Sequence, residues 1–371
     1  MGAVLTIVFT IGFFFAINRV YRKNWDRSFE VKMSFSVKSV NINEYVDVVI
    51  EINNKKRLVL PWIAVNYRLS GSLQKEKEKG KAISIRDNRS SVFALRGKQG
   101  LRKTSRYLCT KRGYYRLEDI HVDCKDIFFT TVGQKRCPSP KGLVVHPKII
   151  DYASIDVPEL KDFGESLVNR LYDPDPFEFS YIREYQPQDN RRHINFRAWA
   201  KTGMPMSNVH NYSVSQNAVI ILDLLPRENT IRGTTLQEYI ISLAASLSWR
   251  FLENKIPVAI FCGGKDAITK DYSALSIGAT ENHFIRILDV LGRIDLSQEP
   301  VSINEFVSTE DVGKYTMVLL LSCRINSSEL LEFINKLEGR KIRSIWIIPK
   351  SHDEEISGIS DSMIVWEYKD G

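Results

Sequence analysis

AVIILDLL at residues 218–225 and YTMVLLLS at residues 315–322 decide how this chain is read. In runs such as MVLLL apolar residues follow one another without polar alternation, so a strand made of them has both faces covered. Such strands belong to largely parallel sheets flanked by helices. Working outward, an apolar period of helical type over residues 234–253 is followed by strand PVAIFC at 257–262 and a helix at 283–291. Beyond 322 come a helix at 327–337, strand IRSIWIIP at 342–349 and a last strand MIVWEY at 363–368. The alternation predicts a doubly wound α/β domain over residues 217–371. Ligand sites in such sheets lie at the carboxyl ends of the strands, which singles out Asp223, the segment 262–266 and the segment 322–324. Gly263, Gly264 and Lys265 form too short a glycine segment for a phosphate loop and read as a tight turn.

Upstream the period changes to two. FSVKSVNINEYVDVVIEINN at 35–54 alternates as a half-buried strand does, and turn residues separate the runs up to residue 147, which predicts an all-β sandwich over 26–148. The charged run QKEKEKGK at 74–81 has no apolar period and reads as a solvated hairpin or loop. It holds none of the interleaved aromatic residues that a nucleic-acid surface needs, so nucleic acid is not an expected partner.

The first residues are of another kind. GAVLTIVFTIGFFFAI at 2–17 carries no charge and is followed at once by Arg19, Arg22, Lys23 and Arg27. Residues 1–18 as a helix measure about 27 Å against a hydrocarbon core of about 30 Å, enough to span barely. The basic cluster follows the apolar run instead of preceding it, which is the reverse of a cleaved signal. The expectation is a single-pass cell-membrane helix with Tyr21 and Trp25 at the interface and the body facing the cytoplasm. A length of 371 residues leaves room for two domains with their own cores. The excess of 52 Lys and Arg over 44 Asp and Glu, a net +8, suits an anionic membrane face or nucleic acid equally, so charge alone selects neither. Cys109, Cys124, Cys137, Cys262 and Cys323 lack metal-binding spacing and read as reduced thiols. No cofactor or metal is expected.

Between the two domains, residues 149–216 read as a linker and an arginine-rich connector. The linker closes on D-P-D-P at 173–176, where two X-Pro pairs bar a helix. The connector is YIREYQPQDNRRHINFRAWAKTG at 181–203. It is too charged for a core and too aromatic for a free linker, so its apolar residues are expected to tuck in. Two readings stay open. In the structural one, Asp189 pairs with Arg183, Arg192 or Arg197 to fix a turn while Tyr185, Ile194, Phe196 and Trp199 anchor it. In the functional one, Arg183, Tyr185, Asp189, Arg192, His193, Arg197 and Lys201 form a surface for an anionic ligand or an acidic partner. His193 has no nucleophile at a fixed spacing, so no catalytic residue is expected.

Arg183, Tyr185, Pro187, Asp189, Arg192, Ile194, Phe196, Ala198, Ala200, Lys201, Thr202 and Gly203 fit the pattern R-x-Y-x-P-x-D-x-x-R-x-I-x-W-x-A-x-A-[RK]-T-G, with Gln188 in place of Gly and Phe196 in place of Trp. This resembles the signature of the bacterial family catalogued as domain of unknown function 58. NNKKRLVLPWI at 53–63, KRGYYRL at 111–117, DIFF at 126–129 and LVVHP at 143–147 are similar to further stretches of it in the same order. The resemblance implies an immunoglobulin-like module followed by a von Willebrand factor A-like domain. In such domains the first strand ends in D-x-S-x-S, an oxygen set for a divalent cation. Here Leu225 and Arg227 stand at the hydroxyl positions, so Asp223 is expected to mark a degenerate metal site and to cap backbone or pair with Arg227. Family members usually open with two membrane helices, where this sequence has one. By the same resemblance the function is protein interaction, as an adaptor or scaffold for a MoxR-type AAA ATPase. The rivals are an enzyme using the Asp, Arg and His cluster of the connector, and a protein binding anionic lipid or nucleic acid.

Overall fold

The computed structural model describes residues 2–70, 72–75, 86–150, 179–186, 194–210, 217–227, 233–325, 327–340, 342–351 and 363–368. Its internal contacts divide the chain into two compact units, one of Met1–Lys148 with Gly292–Ile294, the other of Ile149–Leu291 with Asp295–Gly371. The 149–178 linker with its D-P-D-P falls mostly outside the described residues, as do residues 76–85 of the charged run.

The first unit opens on helix α1 (Gly2–Asn24). The strands that follow are β1 (Phe29–Phe35), β2 (Ser39–Asn41), β3 (Tyr45–Asn54), β4 (Leu60–Ser70), β5 (Leu73–Lys75) and β6 (Arg86–Leu95), then β7 (Gly100–Cys109), β8 (Gly113–Tyr115), β9 (Glu118–Lys125), β10 (Thr131–Arg136) and β11 (Leu143–His146). Two four-stranded sheets, in the orders β1-β3-β7-β5 and β10-β9-β4-β6, are antiparallel throughout. Val46, Val48, Ile50 and Ile52 of β3 and Ile63, Val65, Tyr67 and Leu69 of β4 alternate into one shared core. Tyr67 and Tyr107, one from each sheet, join their hydroxyls at 2.9 Å inside that core, which satisfies both buried oxygens.

Over Val4–Asn24, α1 is long and apolar enough to cross a membrane. Large side chains from Val4 to Phe13 stand exposed, whereas Ile17, Tyr21 and Trp25 pack against or within the sandwich core. The helix thus runs past the expected end at residue 18, and Tyr21 and Trp25 are core residues, not interface anchors. Helical spacing puts residues 14, 18, 21 and 25 on one face, and that face is fastened by polar bonds. Tyr21 Oη donates to Val59 O at 2.9 Å, and Asn18 Nδ2 donates to Thr130 Oγ1 at 2.9 Å and to Asp126 Oδ2 at 3.2 Å. Trp25 lies over Gly133 of β10, where a side-chain Cβ would stand 2.5 Å from the indole Nε1.

In the second unit β12 (Phe179–Glu184) pairs antiparallel with β13 (Met206–His210), and helix α2 (Phe196–Thr202) lies in sequence between them. Then come β14 (Ala218–Asp223), α3 (Gly233–Glu253), β15 (Val258–Lys265), β16 (Tyr272–Gly278), α4 (Glu281–Arg293), α5 (Ile303–Phe306), α6 (Thr309–Val312), β17 (Met317–Ser322), α7 (Ser328–Gly339), β18 (Arg343–Ser351) and β19 (Met363–Tyr368). β14 to β19 form one sheet in the order β16-β15-β14-β17-β18-β19, parallel except for the edge strand β16. Every residue of β14 and β17 is buried, as continuous apolar runs require. Val219, Ile221, Val318, Leu320, Trp346 and Ile348 share a core with α7 and the 303–315 segment, while α3 packs against β14, β15, β17 and β18. Gly263 and Gly264 lie inside β15, correcting the expected turn; the backbone oxygen of Val301 and the Phe306 ring crowd Gly263, leaving no room for a side chain.

Gly133→Val is expected to push Trp25 off β10 and cost about 1 to 3 kcal/mol of stability, the usual range for overpacking. Unfolding of the detergent-solubilised full chain, followed by tryptophan emission, checks this.

Candidate functional site

The strand order reverses around β14, whose chain continues to β15 on one side while β17 continues to β18 on the other. That crevice, at the carboxyl ends of β14 and β17, is where such sheets place ligands. The parallel register sets Asp223 opposite Ser322. Asp223 is fully buried, and its Oδ2 accepts from Ser322 Oγ at 2.7 Å and from Arg324 Nε at 2.9 Å, while Oδ1 takes a longer bond of 3.4 Å from Leu225 N. Arg324 Nη1 reaches on to Glu329 Oε2 at 2.9 Å. A guanidinium therefore occupies the charge-neutralising place between two carboxylates. Burial works against its charge, but Asp223 and then Glu329 outweigh that and hold the Arg324 pKa above its ordinary value.

Of the two roles expected of Asp223, capping nearby backbone is met by its bond from Leu225 N, whereas Arg227 makes other contacts. Its Nε donates to Cys323 O at 2.7 Å and its Nη2 to Pro349 O at 2.9 Å, tying the residue after β17 to strand β18. Of this cluster, the sequence singled out the 322–324 segment but missed the role of Arg324, and missed Glu329 entirely. The available signal was an arginine two residues past the end of a buried strand, beside a strand ending in aspartate. No group of three or more His, Cys, Asp and Glu among the described residues is placed to hold a metal ion. With Leu225 and Arg227 at the hydroxyl positions and Arg324 between the carboxylates, these residues do not fit the divalent cation that D-x-S-x-S would hold. Burial, and then the Asp223 charge, push the neighbouring Cys323 thiol up to about 12, which favours its neutral form.

The connector supplies the other candidate surface. Arg183 and Tyr185 lie at the end of β12, where Arg183 pairs in register with Ser207 and its Nη1 donates to Glu184 O at 3.0 Å. Asn195 caps α2, its Oδ1 accepting from Ala198 N at 2.9 Å, and its Nδ2 donates to Asn208 Oδ1 at 2.7 Å. Gly203 ends the helix in the left-handed conformation at φ 74°, its N–H donating to Trp199 O, which is why glycine suits that position. Asp189, Arg192 and His193 lie outside the described residues. Arg197 and Lys201 are exposed, one turn apart on α2. The expected tucking-in of the apolar residues does not occur on this helix, which has no buried residue. Phe196 and Trp199 stack at 6.1 Å between centroids yet are 69% and 39% exposed. The caps at Asn195 and Gly203 close both ends of the helix, and its aromatic pair stays at the surface.

No protein-family model and no curated protein matches the chain. Among solved structures, it is similar over 32% of its length to a β-glucosidase from Listeria innocua, with 14% identity and a TM-score of 0.20. It is likewise similar over 32% to the CARDB domain of the PF1109 protein from Pyrococcus furiosus, with 15% identity, a TM-score of 0.20 and 90% of that domain covered. The chain spans only 16% of the Listeria enzyme.

Arg324→Ala is expected to lower stability by about 3 to 5 kcal/mol, since it strands a buried carboxylate. Millimolar magnesium should leave the parent unchanged. Thermal unfolding with and without magnesium checks both, and a rise in the parent's Tm that Asp223→Ala abolishes would overturn the filled-site reading.

Proposed function

We propose that this chain is a membrane-anchored protein-interaction protein, held by α1 with its body in the cytoplasm, in which an immunoglobulin-like sandwich precedes a von Willebrand factor A-like domain whose metal site has become an ion pair. The sandwich core, the reversal of strand order at β14 and the Arg324 contacts support that reading of the domains. The connector hairpin is the partner-facing surface. One observation carries this: a stacked, exposed Phe196 and Trp199 pair beside Arg197 and Lys201 on a helix that buries nothing. Aromatic residues and arginine dominate the energetics of protein interfaces, and their cationic neighbours favour an acidic partner. The family resemblance makes a MoxR-type AAA ATPase the partner to test first.

The purified full chain in nanodiscs should bind such an ATPase from the same cell, and Phe196→Ser with Trp199→Ser should weaken binding about 30-fold or more, the loss that hot-spot residues carry. The thermal midpoint should fall far less than for a core aromatic, because Phe196 is largely exposed and Trp199 only partly covered. Unchanged binding by the double variant would remove the connector from the interface. Orientation is checked separately: with Cys137→Ser, a thiol at Lys336→Cys should resist labelling in intact cells until the membrane is opened.

A further inference from the structure

We propose that the turn of Ile127, Phe128 and Phe129 is a second membrane contact of this protein, a wedge that enters the lipid bilayer beside α1. The proposal rests on reading α1 as a membrane helix. The turn joins β9 to β10, and its three side chains are 46%, 42% and 63% exposed. Exposed turns are ordinarily built of Gly, Asn, Asp, Ser and Pro. Here Asp126 alone does the turning: its Oδ1 accepts from Phe128 N and Thr130 N, both at 2.9 Å, and its Oδ2 from Thr130 Oγ1 at 2.6 Å. Phe129 adopts the left-handed conformation at φ 60°, a region that disfavours a bulky L residue. Three large apolar residues in succession are thus held outward by a backbone that glycine or asparagine would suit better, and such strain is kept where the side chain has work to do.

Its position names the occupant. The Phe128 ring meets Phe14 of α1 at 5.0 Å between centroids, and Asn18 donates to both Asp126 and Thr130. Phe14 precedes the first cation, Arg19, by five residues, or about 7 Å along the helix axis. A bilayer that takes in α1 as far as Arg19 therefore has its boundary at the level of the turn. The uncharged run 2–17 measures about 24 Å, short of a hydrocarbon core of about 30 Å, which draws that boundary further toward the sandwich. Exposed Arg19, Arg22 and Lys23 follow on the helix, as suits a layer of anionic headgroups. The turn and α1 present one continuous apolar surface, and lipid is what covers the helix part of it.

The test uses the full chain carrying Cys137→Ser, reconstituted in vesicles of phosphatidylethanolamine and phosphatidylglycerol. A polarity-sensitive fluorophore is attached at Phe129→Cys, at Ile127→Cys or, on the helix, at Phe9→Cys. Expected is loss of most emission at residues 129 and 127 when the lipid carries a nitroxide near the headgroup end of its acyl chain, with little loss to aqueous iodide. Quenching by iodide at both turn positions, while the probe at residue 9 answers to lipid nitroxide, overturns the wedge and leaves the membrane helix standing. Protection of the turn from iodide and nitroxide alike overturns it too, since protein then covers the surface. Iodide access at residue 9 overturns the membrane helix, and the wedge falls with it.

Discussion

A carboxylate taken out of water must be met by donors or cations, and this requirement organises each unit of the protein. Asp126 and Asp223 are both completely buried. Around Asp126 the partners are the backbone and hydroxyl of its own turn together with Asn18, so the same group that shapes the β9–β10 turn also fastens α1 to the sandwich. Around Asp223 the partners are Ser322 and Arg324, contributed by the next strand of the sheet and the loop after it. In one unit the carboxylate locks a helix to a β-sheet; in the other it ties the end of β14 to the end of β17 and the residues that follow it.

Among the described residues, Arg324 is shared between Asp223 and Glu329, and Arg227 donates to two backbone oxygens. The protein also presents exposed aromatic groups at places that packing does not demand: Phe196 and Trp199 on α2, and Phe128 and Phe129 on the β9–β10 turn. Apolar groups clustered at a surface mark contacts with partners or membranes. The two clusters differ in setting, one flanked by Arg197 and Lys201 on a capped helix, the other continuous with an apolar helix, and the occupants proposed for them differ accordingly.

Much of the architecture was legible because it rests on local periodicity. Alternation in YVDVVIEINN and continuity in MVLLLS each report how many faces of a strand are buried, a property of a few neighbouring residues. Edge strand β16 was not legible: YSALSIG alternates weakly, and its pairing with β15 is interrupted by irregular register. The continuation of α1 to Asn24 was not legible, because the cations at Arg19 and Arg22 mark where a membrane segment ends and say nothing of Tyr21 and Trp25, which turn into a protein core that only the folded sandwich provides.

The sequence by itself determined the uncharged N-terminal helix, the change from period two to alternating strands and helices, and the presence of leucine and arginine at residues 225 and 227 after Asp223, since each is written in consecutive residues. Only the tertiary structure decided what stands beside Asp223, because Ser322 and Arg324 are 99 and 101 residues away in sequence and arrive through strand register. It also decided that Phe196 and Trp199 face outward and Tyr21 and Trp25 inward. An aromatic side chain is compatible with either environment, and which one it meets depends on the surfaces that other segments bring to it.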